Sequence, residues 1–448
     1  MRCARTTWPR SAPPIAVAGL AVALTLAWPA GGQVESRDEC APPAHRPEGA
    51  VRLGCSRDGR VCIHGQAGRL ALEQYRRILQ SSQRTLWRLG LLGLPPPADD
   101  AGRGGSLGYD LYVDSAPCPP ATGVDELDLT ARFDRASAFS RVAAPAAGEG
   151  CRFDAGLARS LGEAVLRGLD AAAHPATVSM ASSHLATLVA PCTPLEMEAV
   201  DRFQRSPERA LLGAATDELS GALLFPGYLD EGWGTGHPAG VMTALVAISM
   251  QPVEPSKPRR HNEPDVFDAL RRAAAARSTT LGDILLDFAV ARAFVGSRSD
   301  GAHLVDTERY GDFGRPRFEW SVPWPSLPRR LAPLWPLEPT GVTYLWLDLA
   351  SAPETASLRF VAEWEEGLVM RWALSKVDAA GREVGRLTAA GKWGDSRAHL
   401  TMADLDGLAG ILVVGTHLGA DDRSEPYDPD EAPARPALYA VTLSPLGG

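Results

Sequence analysis

Phe153-Asp154-Ala155-Gly156-Leu157-Ala158-Arg159-Ser160-Leu161-Gly162-Glu163-Ala164-Val165-Leu166-Arg167-Gly168-Leu169 is the stretch on which the reading of this chain turns. Leu157, Leu161, Ala164, Val165, Leu169 and Ala172 recur at three- and four-residue intervals and mark one apolar face of a helix that ends near His174-Pro175. Glu163 is a carboxylate in the middle of that helix. Working outward, the pattern predicts further helices over 179–189, 206–229 with an interruption, 238–250, 264–277 and 280–295. Upstream, Leu72, Tyr75, Leu79, Leu86 and Leu89 predict a helix over 70–91, stopped by Pro95, Pro96 and Pro97. Residues 108–114 alternate like a half-buried strand, a second strand is expected over 125–133, and 143–150 reads as a loop.

The chain changes character after Gly341. Runs at 342–349, 357–364, 368–377, 383–389, 398–402, 410–416 and 437–443 alternate and are rich in β-formers, with turn residues between them. That pattern predicts a β-sandwich over 341–448. Residues 318–340 combine Trp320, Trp324 and Trp335 with many prolines, so they read as a connector lying against a surface rather than a free linker. The expected fold class is an α+β domain over 67–317, mostly helical in its second half, followed by an all-β sandwich.

Residues 1–32 read as a signal peptide. Arg2, Arg5 and Arg10 form a basic start, residues 15–28 are apolar, and Ala30-Gly31-Gly32 places cleavage before Gln33. The apolar run is shorter than the ~18–20 residues a spanning helix needs, and no second one follows. Of seven cysteines, Cys3 leaves with the signal. Cys40, Cys55, Cys62, Cys118, Cys151 and Cys192 remain, an even set that fits three bridges in a secreted or periplasmic protein, with fifteen pairings open. Cys55 and Cys62 flank a Gly-containing segment and are placed to close a small hairpin within the otherwise loop-rich 33–66. The formal charge of −9 argues against a basic nucleic-acid or anionic-lipid surface.

The order of the first domain is a long helix, strands, a helix bearing a glutamate, a second helix about twenty residues on, then a helical half. With Leu72-Glu73-Gln74-Tyr75, Tyr109-Asp110-Leu111-Tyr112, Gly221-Ala222-Leu223-Leu224-Phe225 and Leu281 through Phe288, it resembles secreted gluzincin-type zinc metallopeptidases with a C-terminal β-sandwich, over roughly residues 66–448. The resemblance implies a zincin-like first domain. In such enzymes an H-E-x-x-H helix gives zinc two histidines, the intervening glutamate activates water, and a glutamate from the next helix completes the ligands. Here Glu163 takes the general-base position. Gly162 and Leu166 fall on the histidine positions, and Ser183 falls on the third-ligand position.

The resemblance therefore implies a pseudopeptidase with no metal cofactor, binding a protein, peptide or cell-surface partner. Two alternatives stand beside it. One is an active hydrolase that builds a non-standard zinc site from Glu163, His174 and His184. The other is a structural envelope protein acting through its sandwich. For Glu163 itself, a helical-spacing pair with Arg159 or Arg167 is the bland expectation, and for His174 a helix-terminal position favoured by the dipole. Asp217-Glu218 and Asp230-Glu231 are paired carboxylates. Tyr427-Asp428-Pro429-Asp430-Glu431, preceded by Asp421-Asp422, has oxygens suited to calcium but not the spacing of a calcium loop. Trp233 and His237 sit in a Gly-rich turn that would rim a cleft. No G-x-S-x-G, P-loop or G-x-G-x-x-G occurs.

Overall fold

Strands β1 (Val51–Cys55) and β2 (Val61–Gly65) pair antiparallel, with Cys55 opposite Cys62 and a disulfide between them. The computed structural model describes residues 40–66, 68, 70–114, 117–126, 134–145, 150–213, 219–234, 237–249, 264–390, 395–419 and 435–446. The signal peptide, Asp217-Glu218 and the acidic run 421–431 lie outside the described residues. The hairpin closed by Cys55 and Cys62 is the one their spacing suggested within the otherwise loop-rich 33–66. Its strands are too short for a visible period, and its turn is closed by Ser56, whose hydroxyl donates to Asp58 and whose carbonyl accepts from Gly59.

Helix α1 (Leu72–Leu91) follows. Its buried face is Ile78, Ser81, Ser82, Thr85 and Leu89, whereas Leu72, expected on that face, is 63 % exposed. Small hydroxyl residues face inward there because they satisfy themselves locally: Ser82 donates to the Ile78 carbonyl and Ser81 to Asp154. Next come β3 (Tyr109–Asp114), β4 (Ala121–Val124) and β5 (Ala138–Ala143). The sheet order is β1-β2-β3-β5-β4, parallel at β2–β3 and β3–β5 and antiparallel at both ends. Strand β4 occupies 121–124, just before the strand expected at 125–133, of which 127–133 lie outside the described residues; Asp125 accepts hydrogen bonds from Arg46.

The helical half contains α2 (Cys151–Leu169), α3 (Pro175–Val189), α4 (Thr193–Arg205), α5 (Leu224–Trp233), α6 (Gly240–Ile248), α7 (Val266–Ala276) and α8 (Leu281–Ala293). Pro175 opens α3 four residues before the expected start, as a proline at the first helical position does. The expected helix over 206–229 is replaced by α4 before it, 3-10 turns at Leu211–Gly213 and Gly221–Leu223, and α5. The sequence conceals α4 because its buried face includes Glu196 and Gln204. Glu196 pairs with Arg309, and Gln204 donates to the carbonyls of Arg292 and Gly314. Polar residues inside break the apolar period.

The Pro/Trp segment is more than a connector. Its strands β6 (Trp320–Pro323) and β7 (Arg329–Leu331) each add an edge to a different sheet. With β8 (Val342–Asp348), β9 (Ser357–Trp364), β10 (Met370–Asp378), β11 (Glu383–Ala390), β12 (Arg397–Met402), β13 (Leu408–His417) and β14 (Tyr439–Leu446) they form sheets ordered β11-β10-β13-β8-β6 and β12-β9-β14-β7. The sheets share one core in which Leu345, Trp372 and Val413 meet Phe360, Trp364 and Val441. Trp372 is fully buried, and a Cβ on Gly415 would stand 2.4 Å from its ring, so only glycine fits there.

Alternate residues of the first sheet, Tyr344, Ala373, Leu412 and Val414, point the other way. They pack on Leu286, Ala289, Val290 and Ala293 of α8. This explains why β13 is buried almost along its whole length. Tyr344 also donates to the Ala289 carbonyl, while Arg371 and Arg386 pair with Asp283 and Asp287 of α8. The fold is α+β, then a two-sheet β-sandwich, joined through α8.

Disulfides Cys40–Cys118 and Cys151–Cys192 complete the three bridges and fit an oxidising compartment. Among the described residues no helix is long and apolar enough to cross a membrane.

Candidate functional site

Helix α2 lies against β4 and β5, and hydroxyl groups join them. Thr122 of β4 hydrogen-bonds to the Ser160 carbonyl (3.1 Å) and hydroxyl (2.8 Å), and Ser140 of β5 connects Ser160 to Tyr109 (2.7 Å from Tyr109). These groups are buried and satisfy one another. Burial pushes the Tyr109 phenol up, and the nearby Glu163 carboxylate adds to the shift. Glu163 follows Ser160 by three residues and is half-buried. It makes no hydrogen bond or ion pair among the described residues. Neither expected arginine partner holds it: Arg159 donates to Ser179 (3.2 Å), and Arg167 donates to the carbonyls of Ala171 and Ala173.

Gly162, Leu166 and Ser183 are occupied by packing and by a backbone hydrogen bond. A Cβ on Gly162 would touch the Leu185 side chain at 3.4 Å and the Ser182 backbone at 3.6 Å, so α2 and α3 approach closely at this point. Leu166 is fully buried in the core. The Ser183 hydroxyl is buried and accepts the Ser220 N–H at 2.8 Å.

His174 and His184 serve different neighbours. His184 Nε2 lies 2.8 Å from Asp230 Oδ2 on α5, and the ring packs beside Gly227. Asp230 also accepts the N–H groups of Ala239 and Val241 at the start of α6. One carboxylate thus connects α3, α5 and α6. His174 does not end α2, as expected, but caps the start of α3. Its Nδ1 accepts the Ala176 N–H at 3.2 Å. At that end the helix dipole disfavours an imidazolium. Burial, and then the Arg167 charge, hold its pKa below the usual histidine range. Among the described residues no group of three or more His, Cys, Asp and Glu side chains is arranged to hold a metal ion. Glu231 accepts the Val305 N–H and Trp233 is covered by Arg277, 4.5 Å from its ring centre. His237 is exposed.

Two charged clusters have no local signature in the sequence. Arg46 binds Asp100 (2.9 Å), Asp110 and Asp125 (2.7 Å), and His64 holds the other oxygen of Asp110 at 2.7 Å. The members are separated by up to 79 residues, so only the fold assembles them. At the junction with the sandwich, His303 stands between Asp300 and Glu383, beside Arg386.

No protein-family model matches the sequence, and a search of curated proteins finds no match. Among solved structures, the insecticidal delta-endotoxin Cry8Ea1 from Bacillus thuringiensis is similar at 9 % identity with a TM-score of 0.14, over 31 % of this chain and 21 % of that chain. The match spans about a fifth of the toxin, and a likeness this slight carries no argument about fold or function.

Proposed function

We propose that this chain is an exported, metallopeptidase-like scaffold that holds a peptide or protein partner at α2 without cleaving it. The observation that carries this reading is the use made of the ligand positions. Gly162 and Leu166 offer no donor atom, and the Ser183 hydroxyl is committed to a backbone N–H. A catalytic zinc needs three protein ligands. The rest of the arrangement supports a binding role. Among the described residues strand β4 is at the edge of its sheet, Thr122 ties it to Ser160, and Glu163 lies three residues further along α2. An extended peptide adds to such a strand edge through main-chain hydrogen bonds, and a carboxylate without a hydrogen bond or ion pair among the described residues favours a basic side chain. Membership of a zincin-like fold belongs to the same proposal.

Metal analysis of the purified protein tests the reading. Substoichiometric, readily dialysed zinc is the expected result. One zinc per chain that survives dialysis against a weak chelator would overturn it.

A further inference from the structure

A cavity of about 240 Å³ lies at the junction of the two lobes, between the residues that follow α8 and the β10–β11 hairpin of the sandwich. Phe294, Trp346, Val377 and Leu412 supply apolar and aromatic walls. One cation, Arg298, lines it. The Arg298 guanidinium lies 3.9 Å from the ring centre of Phe318, which in turn stacks on Trp346 at 6.3 Å between centroids. Arg298 has no carboxylate partner among the described residues.

The other charges close by do not neutralise it. Asp378 lines the same cavity, but its oxygens are taken by the Arg382 guanidinium (2.8 and 3.0 Å) and by the N–H groups of Ala380 and Arg382. Arg315 acts on Arg298 as a like charge and is itself drawn to Asp312. Burial, then Arg315, push the Arg298 guanidinium down to about 10, still charged at neutral pH. An acidic chain has thus left a partly desolvated arginine without a counter-ion among the described residues, held over an aromatic ring and lining a cavity with aromatic and apolar residues in its walls.

We propose that this cavity binds a carboxylate carried on a compact apolar or aromatic group, with Arg298 reading the anion. A planar guanidinium matches a carboxylate two bonds at a time. A phosphate would call on more donors than one fork supplies. The size suits one amino-acid-sized group, and junctions between lobes are where such pockets form. The same chemistry comes from a free small acid or from the C-terminal residue of a peptide. The proposal is independent of what α2 binds.

Calorimetric titration of the full exported chain tests it with N-acetyl-L-phenylalanine, its C-terminal amide, and a hexapeptide ending in phenylalanine. The free acid is expected to bind at least roughly tenfold more tightly than the amide, since only the acid engages the guanidinium as a charged pair. Arg298→Gln should remove that preference, and Arg298→Lys should keep part of it. Ala380→Trp, at the exposed hairpin tip, should close the cavity while leaving Arg298 in place. A hexapeptide much tighter than the single residue assigns the site to chain termini; equal affinities assign it to small acids. Equal binding of acid and amide, a preference that survives Arg298→Gln in a protein with an unchanged melting profile, or no binding of any probe up to about 10 mM would overturn the proposal.

Discussion

His184 and Asp230 form a buried imidazole–carboxylate pair 2.8 Å apart, and the same carboxylate caps the start of α6. The pair therefore anchors three helices at one point. Asp230→Ala would leave His184 and two backbone N–H groups without their acceptor, with an expected loss of about 2–4 kcal/mol in urea unfolding. A loss below about 0.5 kcal/mol would mean that water replaces the carboxylate at no cost.

Glu163 gives the contrasting expectation. Its carboxylate has no partner among the described residues, so Glu163→Gln should change stability by less than about 0.5 kcal/mol. It should weaken any basic peptide found to bind at α2. Substantial destabilisation would place the carboxylate in a structural role and remove it from the proposed binding surface.

His303 predicts a pH dependence at the junction of the lobes. Its Nδ1 faces Asp300 and its Nε2 faces Glu383, both at 2.9 Å; Phe294 stacks on the ring at 4.4 Å. Arg386 and, through it, Asp287 are the other charges facing it. Burial opposes protonation, but the bonds to Glu383 and Asp300 outweigh it and raise the His303 pKa. A raised histidine pKa stabilises the folded state most below the unfolded value of about 6.5, and that stability is lost as pH rises through the folded value. Glu383 behaves in the opposite sense. Burial alone would raise it, but Arg386 and His303 bring it down to about 2, so its contribution is lost as the solution is acidified toward that value. Chemical denaturation should therefore show His303→Gln costing more at about pH 5.5 than at about pH 9. The same cost at both would exclude a protonated His303 from the junction.

The disulfides differ in the chain they close. Cys151–Cys192 spans 41 residues, whereas Cys55–Cys62 spans 7. Chain entropy then predicts a loss of about 4 kcal/mol on replacing the first pair with serine and about 2 kcal/mol for the second. Melting of the two double variants would reveal the order, and a reversed order would show that native contacts in the hairpin dominate.

Much of this architecture was legible in residue patterns. The sandwich strands from Val342 onward are short runs rich in β-formers between turn residues, so their positions were readable, while the burial of both faces of β8 and β10 was not. Helix α4 was hidden because Glu196 and Gln204 point inward, where the local Cys192 N–H and the distant Arg309, Arg292 and Gly314 satisfy them. The hairpin at Cys55 and Cys62 was readable from cysteine spacing, although its strands were not. At the candidate site, the lack of donor atoms at Gly162 and Leu166 is written in the sequence, but the fates of the histidines are not. His184 depends on Asp230, 46 residues away, and His174 depends on where a helix begins. Arg298 carries no local signature either, since its isolation is a property of the assembled surface.

Helix α8 covers the outer face of a sandwich sheet while its charged residues grip β10 and β11. Truncation after residue 340 would therefore strip Leu286, Val290 and Phe294 of their cover and leave an adhesive stripe on what remained. The two lobes should melt in a single calorimetric transition. Their separate roles are better dissected by point changes on intact protein than by cutting the chain.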